Sequence, residues 1–480
     1  MTESIKGSGK YARLFGDIIV FMLGTVLAKA IQFFLMPLYT SYLTTEAYGV
    51  AELVNNLSEL FFPIVTLCIY EAAFRYAVDE SFDNKKIVAV ATRILLISLV
   101  IGTGIAIIAY HSLNYRYAFY LLFVLYGMSF RMTAAYYVRG KGLSKVFSFS
   151  GIVNAISLAL CNILFLIVFP MDVAGYLISI GTAYIITAIY LVFKGGIHSD
   201  ISLSTKVDHD SVMVLLHYSM PLIFYNILYW INTISGRYIL LWFTDANSAG
   251  LYIAAIKIAA VINMIQQAVY AAFQLNASRE FSKDKKEQYY SSINNSFTIL
   301  YCSFGAAIIC CTHLLALFTL KKEFIIAEQY LPIIMFAAII NCVSSLYGAM
   351  YSTYKKTKKQ IPVSIIGAVS NVIVCFALTP IIGIWGVCIG SLVCYSSQAL
   401  YKMIDTKRMC GLTVKWKLIA FNMLCLASMV FIIWKDPNNG LILSIAITAV
   451  LYIVNIYEYR EGLKKVLQTI KSRRHDIKGR

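Results

Sequence analysis

The sequence predicts an all-α integral membrane protein of about fourteen transmembrane helices with both termini cytoplasmic. Three observations carry this expectation. The chain of 480 residues is 59% hydrophobic, with a mean hydropathy of +0.72, too apolar for a soluble protein of this length. Its apolar stretches, bounded by charged residues, are long enough to cross a bilayer, for which roughly 20 residues suffice. Its basic residues are phased. With the N-terminus in the cytoplasm, thirty-three of the 41 lysines and arginines fall on the cytoplasmic side, and Arg116, Lys321, Lys322 and Lys435 fall outside. The other four lie within spans. This is the positive-inside rule, and a missed or extra helix would scramble the phase downstream. The net charge of +17 is therefore a topology signal with some attraction to anionic membrane lipids, and no nucleic-acid partner is expected.

In order, the spans cover 14–40, 47–74, 89–110, 117–138, 146–169, 173–193, 213–242, 248–275, 289–319, 328–353, 360–380, 382–401, 417–434 and 439–457. The first follows Lys6, Lys10 and Arg13 but lacks a small-residue cleavage site, so a retained helix is expected rather than a signal peptide. External loops are short, as at Pro170-Met171-Asp172. The cytoplasmic loops 75–88, 194–212, 276–288 and 402–416 are longer and charged.

An internal echo divides the chain. The fifth span begins GIVNAISL and ends at Pro170, followed by VAGYLIS; the eleventh begins GAVSNVIV and ends at Pro380, followed by IWGVCIGS. The first two spans join through YLTTEAYGVAELV, and the seventh and eighth through WFTDANSAGLYIAAI. Corresponding spans are six apart and so share an orientation, which describes a parallel pseudo-repeat. The expected organisation is a six-helix bundle at 1–200, a second at 201–405, and two further helices with a basic tail at 406–480.

Ionisable groups in a bilayer cost several kcal/mol unless paired or hydrated, so they mark candidate sites. The first span carries Asp17 and Lys29. The second carries Glu52, Asn56 and Glu59 on one helical face, with Pro63 continuing it. The seventh offers Asn226, Asn232, Ser235 and Arg237 among Tyr225, Tyr229 and Trp230. The eighth offers Lys257 and the stripe Asn263, Gln267, Tyr270 and Gln274. Arg131 in the fourth span is expected to snorkel toward the interface. Taken together these residues describe a polar cavity with cationic and aromatic walls. Arg and Lys can hold phosphate oxygens, and Tyr and Trp faces can stack on sugar rings. The plainer reading is that Lys29–Glu59 and Lys257–Glu52 are structural ion pairs and the amides join helices. Glu52, Glu59 or Asp17 could also take a proton or Na⁺.

The chain has no GxxxxGK[ST] phosphate loop, no HExxH or other metal spacing, and no external loop large enough for a catalytic constellation. No enzyme activity, cofactor or metal is expected. Ten of the eleven cysteines lie in spans and Cys410 in a cytoplasmic loop, so they read as small apolar packers.

The stretch GTVLAKAIQFFLMPLYTSYLTTEAYGVAELV (24–54) resembles the first helix pair of Wzx-type bacterial polysaccharide flippases, of the MATE-like exporter superfamily. Lys29, the Pro37-Leu38-Tyr39-Thr40 helix end and the Tyr48-Gly49 turn all fit. SGRYILLWFTDANSAGLYIAAIKIA (235–259) fits likewise, and the resemblance covers essentially the whole chain.

The resemblance implies two bundles around a V-shaped cavity. It implies transfer of undecaprenyl-diphosphate-linked oligosaccharides (O-antigen, teichoic-acid or exopolysaccharide units) across the bacterial inner membrane. A polysaccharide polymerase and a chain-length regulator are implied partners. Lys29, Arg237 and Lys257 would hold the diphosphate, with Asn232, Tyr229, Gln267 and Tyr270 around the sugars; Glu52, Glu59 and Asp17 would couple an ion. Many relatives carry an acid before the arginine of the seventh span, where this chain has Gly236; if that acid assists coupling or pairs the arginine, this chain must use another partner or none, and Glu52 is the candidate. A multidrug exporter and a lipid II flippase on the same fold are the competing expectations.

Overall fold

Helices supply every regular element among the described residues, and no strand is present there. The computed structural model describes residues 29–78, 82–201, 207–263, 266, 286–354, 356–436 and 440–458. Among the described residues, eleven helices are long and apolar enough to span a membrane, and thirteen spans result when each of two bent pairs counts as one. These correspond to the second through fourteenth expected spans. The first lies largely outside the described residues.

Helix α1 (Met36–Tyr42) begins with Pro37 in its first turn, where a missing N–H costs no hydrogen bond. Thr44 caps α2 (Thr45–Val65) by accepting the Ala47 N–H, and Glu46 adds negative charge to the first turn. After Pro63 the span breaks. Leu67 and Cys68 adopt φ of +48° and +52°, and α3 (Ile69–Ala77) leaves at 59°. The break keeps its own polar groups satisfied: the Cys68 N–H donates to the Pro63 carbonyl and the Thr66 hydroxyl to that of Phe62. That is what a break away from water requires.

The chain continues through α4 (Asn84–Ser112), α5 (Ala118–Gly140), α6 (Ser144–Asn162) and α7 (Asp172–Lys194). A π-helical turn, Ile163–Val168, extends α6. Asp208 caps α8 (His209–Ser219), which runs into α9 (Pro221–Phe243), followed by α10 (Ala246–Ala259). Next come α11 (Lys286–Cys310) and α12 (Thr312–Thr319), bent by 58°, then α13 (Leu331–Thr353) and α14 (Gln360–Ile382). Last are α15 (Ile384–Cys410), α16 (Trp416–Lys435) and α17 (Gly440–Glu458).

The chain divides into two compact units, one formed by Met1–Ile258, Phe318–Ala327 and Ser364–Gly390 and the other by the remainder. In the first, Ile87, Val88, Ala135, Val138 and Leu191 form a buried cluster among α4, α5 and α7. Beside it, Asp200 accepts from both Lys141 and the Tyr137 hydroxyl at 2.8 Å. On α4, Val100, Ile101, Ile105 and Ile108 are exposed, as a lipid-facing surface should be.

This unit also contains the physical basis of the repeat. Helices α2 and α10 cross so closely that a Cβ on Gly49 would collide with the Ala246 carbonyl, and one on Gly250 with that of Thr45. The second echo behaves alike. Gly175 lies against the Phe165 carbonyl, and Gly386 against the backbone of Leu378 and Thr379.

In the second unit, amides join helices. Asn422 and Asn455 exchange hydrogen bonds, and Asn455 also donates to Ser303 of α11. Tyr347 and Tyr351 of α13 are fully buried, near Thr298 and Asp405 respectively. They belong to helix packing there.

Candidate functional site

The polar stripe of α2 is the site's spine. Glu52 is 2% exposed and accepts from both the Lys257 ammonium (α10) and the Tyr176 hydroxyl (α7). The Tyr176 oxygen also accepts from Lys257, at 3.1 Å. Around the ammonium stand three rings, Tyr39, Tyr48 and Tyr176, with centroids 5.9, 5.5 and 5.8 Å away. All three tyrosines are buried, and Asn162 donates to the Tyr39 hydroxyl at 3.0 Å. A cation over aromatic faces gains quadrupole attraction that grows as water is excluded. The carboxylate supplies the compensating charge.

One turn along α2, the Asn56 side-chain oxygen accepts from the Arg237 guanidinium at 2.7 Å. The Asn56 backbone carbonyl accepts from the Trp230 indole at 2.9 Å, and that of Leu53 from the Tyr238 hydroxyl at 2.6 Å. Helix α9 is thus bound to α2 by three polar contacts. Arg237 is not paired with Glu52, the candidate partner. Glu52 is taken by Lys257, and a neutral amide holds the arginine, with both acids acting on it from farther away. Gly236 brings no carboxylate, and its nearest neighbours across the helix are Cys375 and Val387.

Glu59 is exposed, and Arg237, Glu52 and Lys257 all lie within electrostatic reach of it. Tyr229 is similarly open, at 61% exposure, and near Glu59. Asn232 is drawn into packing, for its amide donates to the carbonyls of Leu228 and Ser364. Lys29 is half-buried with no acid beside it among the described residues, so the Lys29–Glu59 pair does not form there. Asp17, Gln267 and Tyr270 lie outside the described residues. The Glu71 carboxylate lies within electrostatic reach of Arg139. The tyrosine cage was not anticipated, although Tyr48 and Tyr176 lie in the repeated motifs and Tyr39 in the Pro37-Leu38-Tyr39-Thr40 helix end.

At the end where the α1–α2 and α9–α10 turns lie, polar contacts reinforce the glycine crossing. Thr45 meets Asn247 and, at 3.0 Å, Glu323, and the Thr40 hydroxyl donates to the Thr319 carbonyl at 2.7 Å. Tyr48 packs edge-on against Phe324.

Comparison with known families decides where this arrangement belongs. The polysaccharide biosynthesis protein model matches residues 14–274, more than half of the chain. The chain belongs to the polysaccharide biosynthesis protein family. The MatE model also matches, over residues 221–377. No curated protein matches the chain.

Among solved structures, the lipid II flippase MurJ in an inward closed conformation superposes with a TM-score of 0.68 at 14% identity, covering 93% of this chain and 100% of that one. An inward-facing multidrug resistance MATE family transporter of the MOP superfamily gives 0.58 at 13% identity, covering 81% and 98%. A MOP superfamily transporter from Pyrococcus furiosus Vc1, described as having reverse polarity of its binding pocket, gives 0.54 at 15% identity, covering 82% and 96%. The chain shares the fold of these proteins, and its many long apolar helices are those of a multi-pass membrane protein.

Proposed function

We propose that the protein is a flippase carrying undecaprenyl-diphosphate-linked oligosaccharide units from the cytoplasmic to the outer leaflet of a bacterial inner membrane. The observation that carries this reading is the buried set Glu52–Tyr176–Lys257 beside Asn56–Arg237, inside the spans of a polysaccharide biosynthesis family member. Charged groups are kept at that depth for transport rather than for packing alone.

Lys29, Arg237 and Lys257 hold the diphosphate or acidic sugars, and Tyr229 offers an open aromatic face to a sugar ring. The Lys257–Glu52 pair defines an exchange. A phosphate reaching Lys257 displaces Glu52, which then takes up a proton or Na⁺. The sequential bundles 1–200 and 201–405 rock about the site. With both termini cytoplasmic, the α1–α2 and α9–α10 turns face outward, so the Gly49–Gly250 crossing is a closed outer gate that parts for release.

The test is a deletion strain in which undecaprenyl-linked oligosaccharide is quantified and located by leaflet. Cytoplasmic-side accumulation with loss of surface polymer, reversed by the intact gene, is the expected result. Normal lipid-linked sugar with altered drug tolerance would refute it and favour a multidrug exporter. Accumulation of lipid II instead would refute the oligosaccharide substrate.

A further inference from the structure

Arg131 on α5 has no role in the site described above, and its surroundings are unusual. A guanidinium carries five N–H donors in a planar fork. Here one donates to the Met132 sulfur, a weak acceptor, at 3.3 Å, while Nε is buried with no hydrogen-bond partner. The group lies over the Tyr184 ring of α7, 5.0 Å from its centroid. It does not snorkel free of the protein. The ionisable side chains within its reach are the neutral phenols of Tyr184 and Tyr136, and no carboxylate pairs with it among the described residues. Neither phenol makes a hydrogen bond among those residues.

Two other partly buried cations of this unit are paired with acids, and Arg237 has at least the Asn56 amide. Lys257 has Glu52 and Lys141 has Asp200. A partly buried guanidinium without an anion leaves part of its solvation cost uncompensated. Tyr184 also lies within electrostatic reach of Glu59 and Glu52, so Arg131 and the acidic stripe of α2 share that tyrosine as a neighbour.

We infer that Arg131, with the Tyr184 and Tyr136 hydroxyls, is an anion subsite that takes the diphosphate headgroup of the lipid-linked substrate. This rests on the flippase reading above. The chemistry fits one phosphate group: the forked guanidinium donates to two oxygens side by side, and two phenols can donate to the remainder. The headgroup neutralises Arg131 without competing with an internal acid, as it must at Lys257. Arg131 is therefore a docking residue, and Lys257 the site of exchange.

The experiment uses the full chain in lipid nanodiscs, with farnesyl diphosphate, inorganic pyrophosphate and farnesol as probes. Wild type is expected to bind farnesyl diphosphate well above farnesol. Arg131→Gln should weaken diphosphate binding at least tenfold, Arg131→Lys less, and Tyr184→Phe a few-fold, with farnesol uptake unchanged throughout. Arg131→Lys keeps the charge at that position, so a folding defect confined to Arg131→Gln would not mask the result. Undiminished farnesyl diphosphate binding by Arg131→Gln would overturn the subsite and leave the flippase reading standing. No preference of wild type for the diphosphate over farnesol would overturn both. Equal, Arg131-dependent binding of pyrophosphate would assign the site to soluble phosphate and overturn the lipid headgroup.

Discussion

Removing Lys257 should cost far more than removing Glu52, because their exposures differ. The Glu52 side chain is 2% exposed and that of Lys257 37%. In Lys257→Met a carboxylate is left buried with only the Tyr176 hydroxyl to hold it, and breaking a buried pair this way costs about 3–5 kcal/mol. In Glu52→Gln the amide oxygen can still accept from Tyr176, and the ammonium retains part of its hydration. Screening and the surviving bonds limit that loss to about 1–2 kcal/mol. The double variant removes both charges, so it should be more stable than the sum of the single losses implies, with a coupling of about 1–3 kcal/mol. Reversible denaturant titration of the purified protein in micelles, followed by tryptophan fluorescence, gives all four corners of the cycle. Single effects that add to the double within about 0.5 kcal/mol would show that the two groups do not act as a pair.

Three further outcomes follow from the same geometry. Gly49→Ala or Gly250→Ala forces α2 and α10 apart and should destabilise by about 1–3 kcal/mol; the double variant should cost less than the sum, because one separation relieves both clashes. Strict additivity in unfolding midpoints would contradict the shared crossing. Gly236→Ala should be neutral or stabilising by up to about 1 kcal/mol, since its added carbon would meet nothing closer than 3.8 Å and alanine favours the helix. Finally, the Lys86 ammonium and then the Ser211 hydroxyl hold the Asp208 carboxyl well below the usual carboxylate range. That stabilisation is complete above the unfolded value of about 3.9 and is lost as pH falls through the folded value, so Asp208→Asn should flatten stability against pH only in acid.

The spans were legible because hydropathy and charge phase are long-range averages that no single residue can spoil. The breaks were not. Pro63 marked the second span, yet the bend comes four residues later, where Leu67 and Cys68 take a left-handed conformation that nothing in their side chains favours. The Glu52, Asn56 and Glu59 face was readable from its spacing, as was its exclusion from lipid. Its partners depended on which helices meet it, and periodicity does not contain that. Hence both Lys257–Glu52 and Lys29–Glu59 were open, and only the first forms among the described residues. Arg237 found Asn56 rather than an acid. The tyrosine cage was obscured by abundance: with 34 tyrosines, the three beside repeated glycines and turns did not stand out from an interfacial belt.

The contact at Gly49 and Gly250 has the form that a two-fold axis gives to the interface of a symmetric dimer: what Gly49 does to Ala246, Gly250 does to Thr45. The same register matches Asn56 with Lys257, and there the equivalence fails. One position holds an arginine through a neutral amide, and the other carries a cation to Glu52. Two identical chains meeting at such a crossing could hold an acid–base pair only twice or not at all. A single chain containing both copies can hold it once. The backbone crossing is thus indifferent to which copy is which, while the charges beside it are polarised, giving a symmetric scaffold an electrical direction.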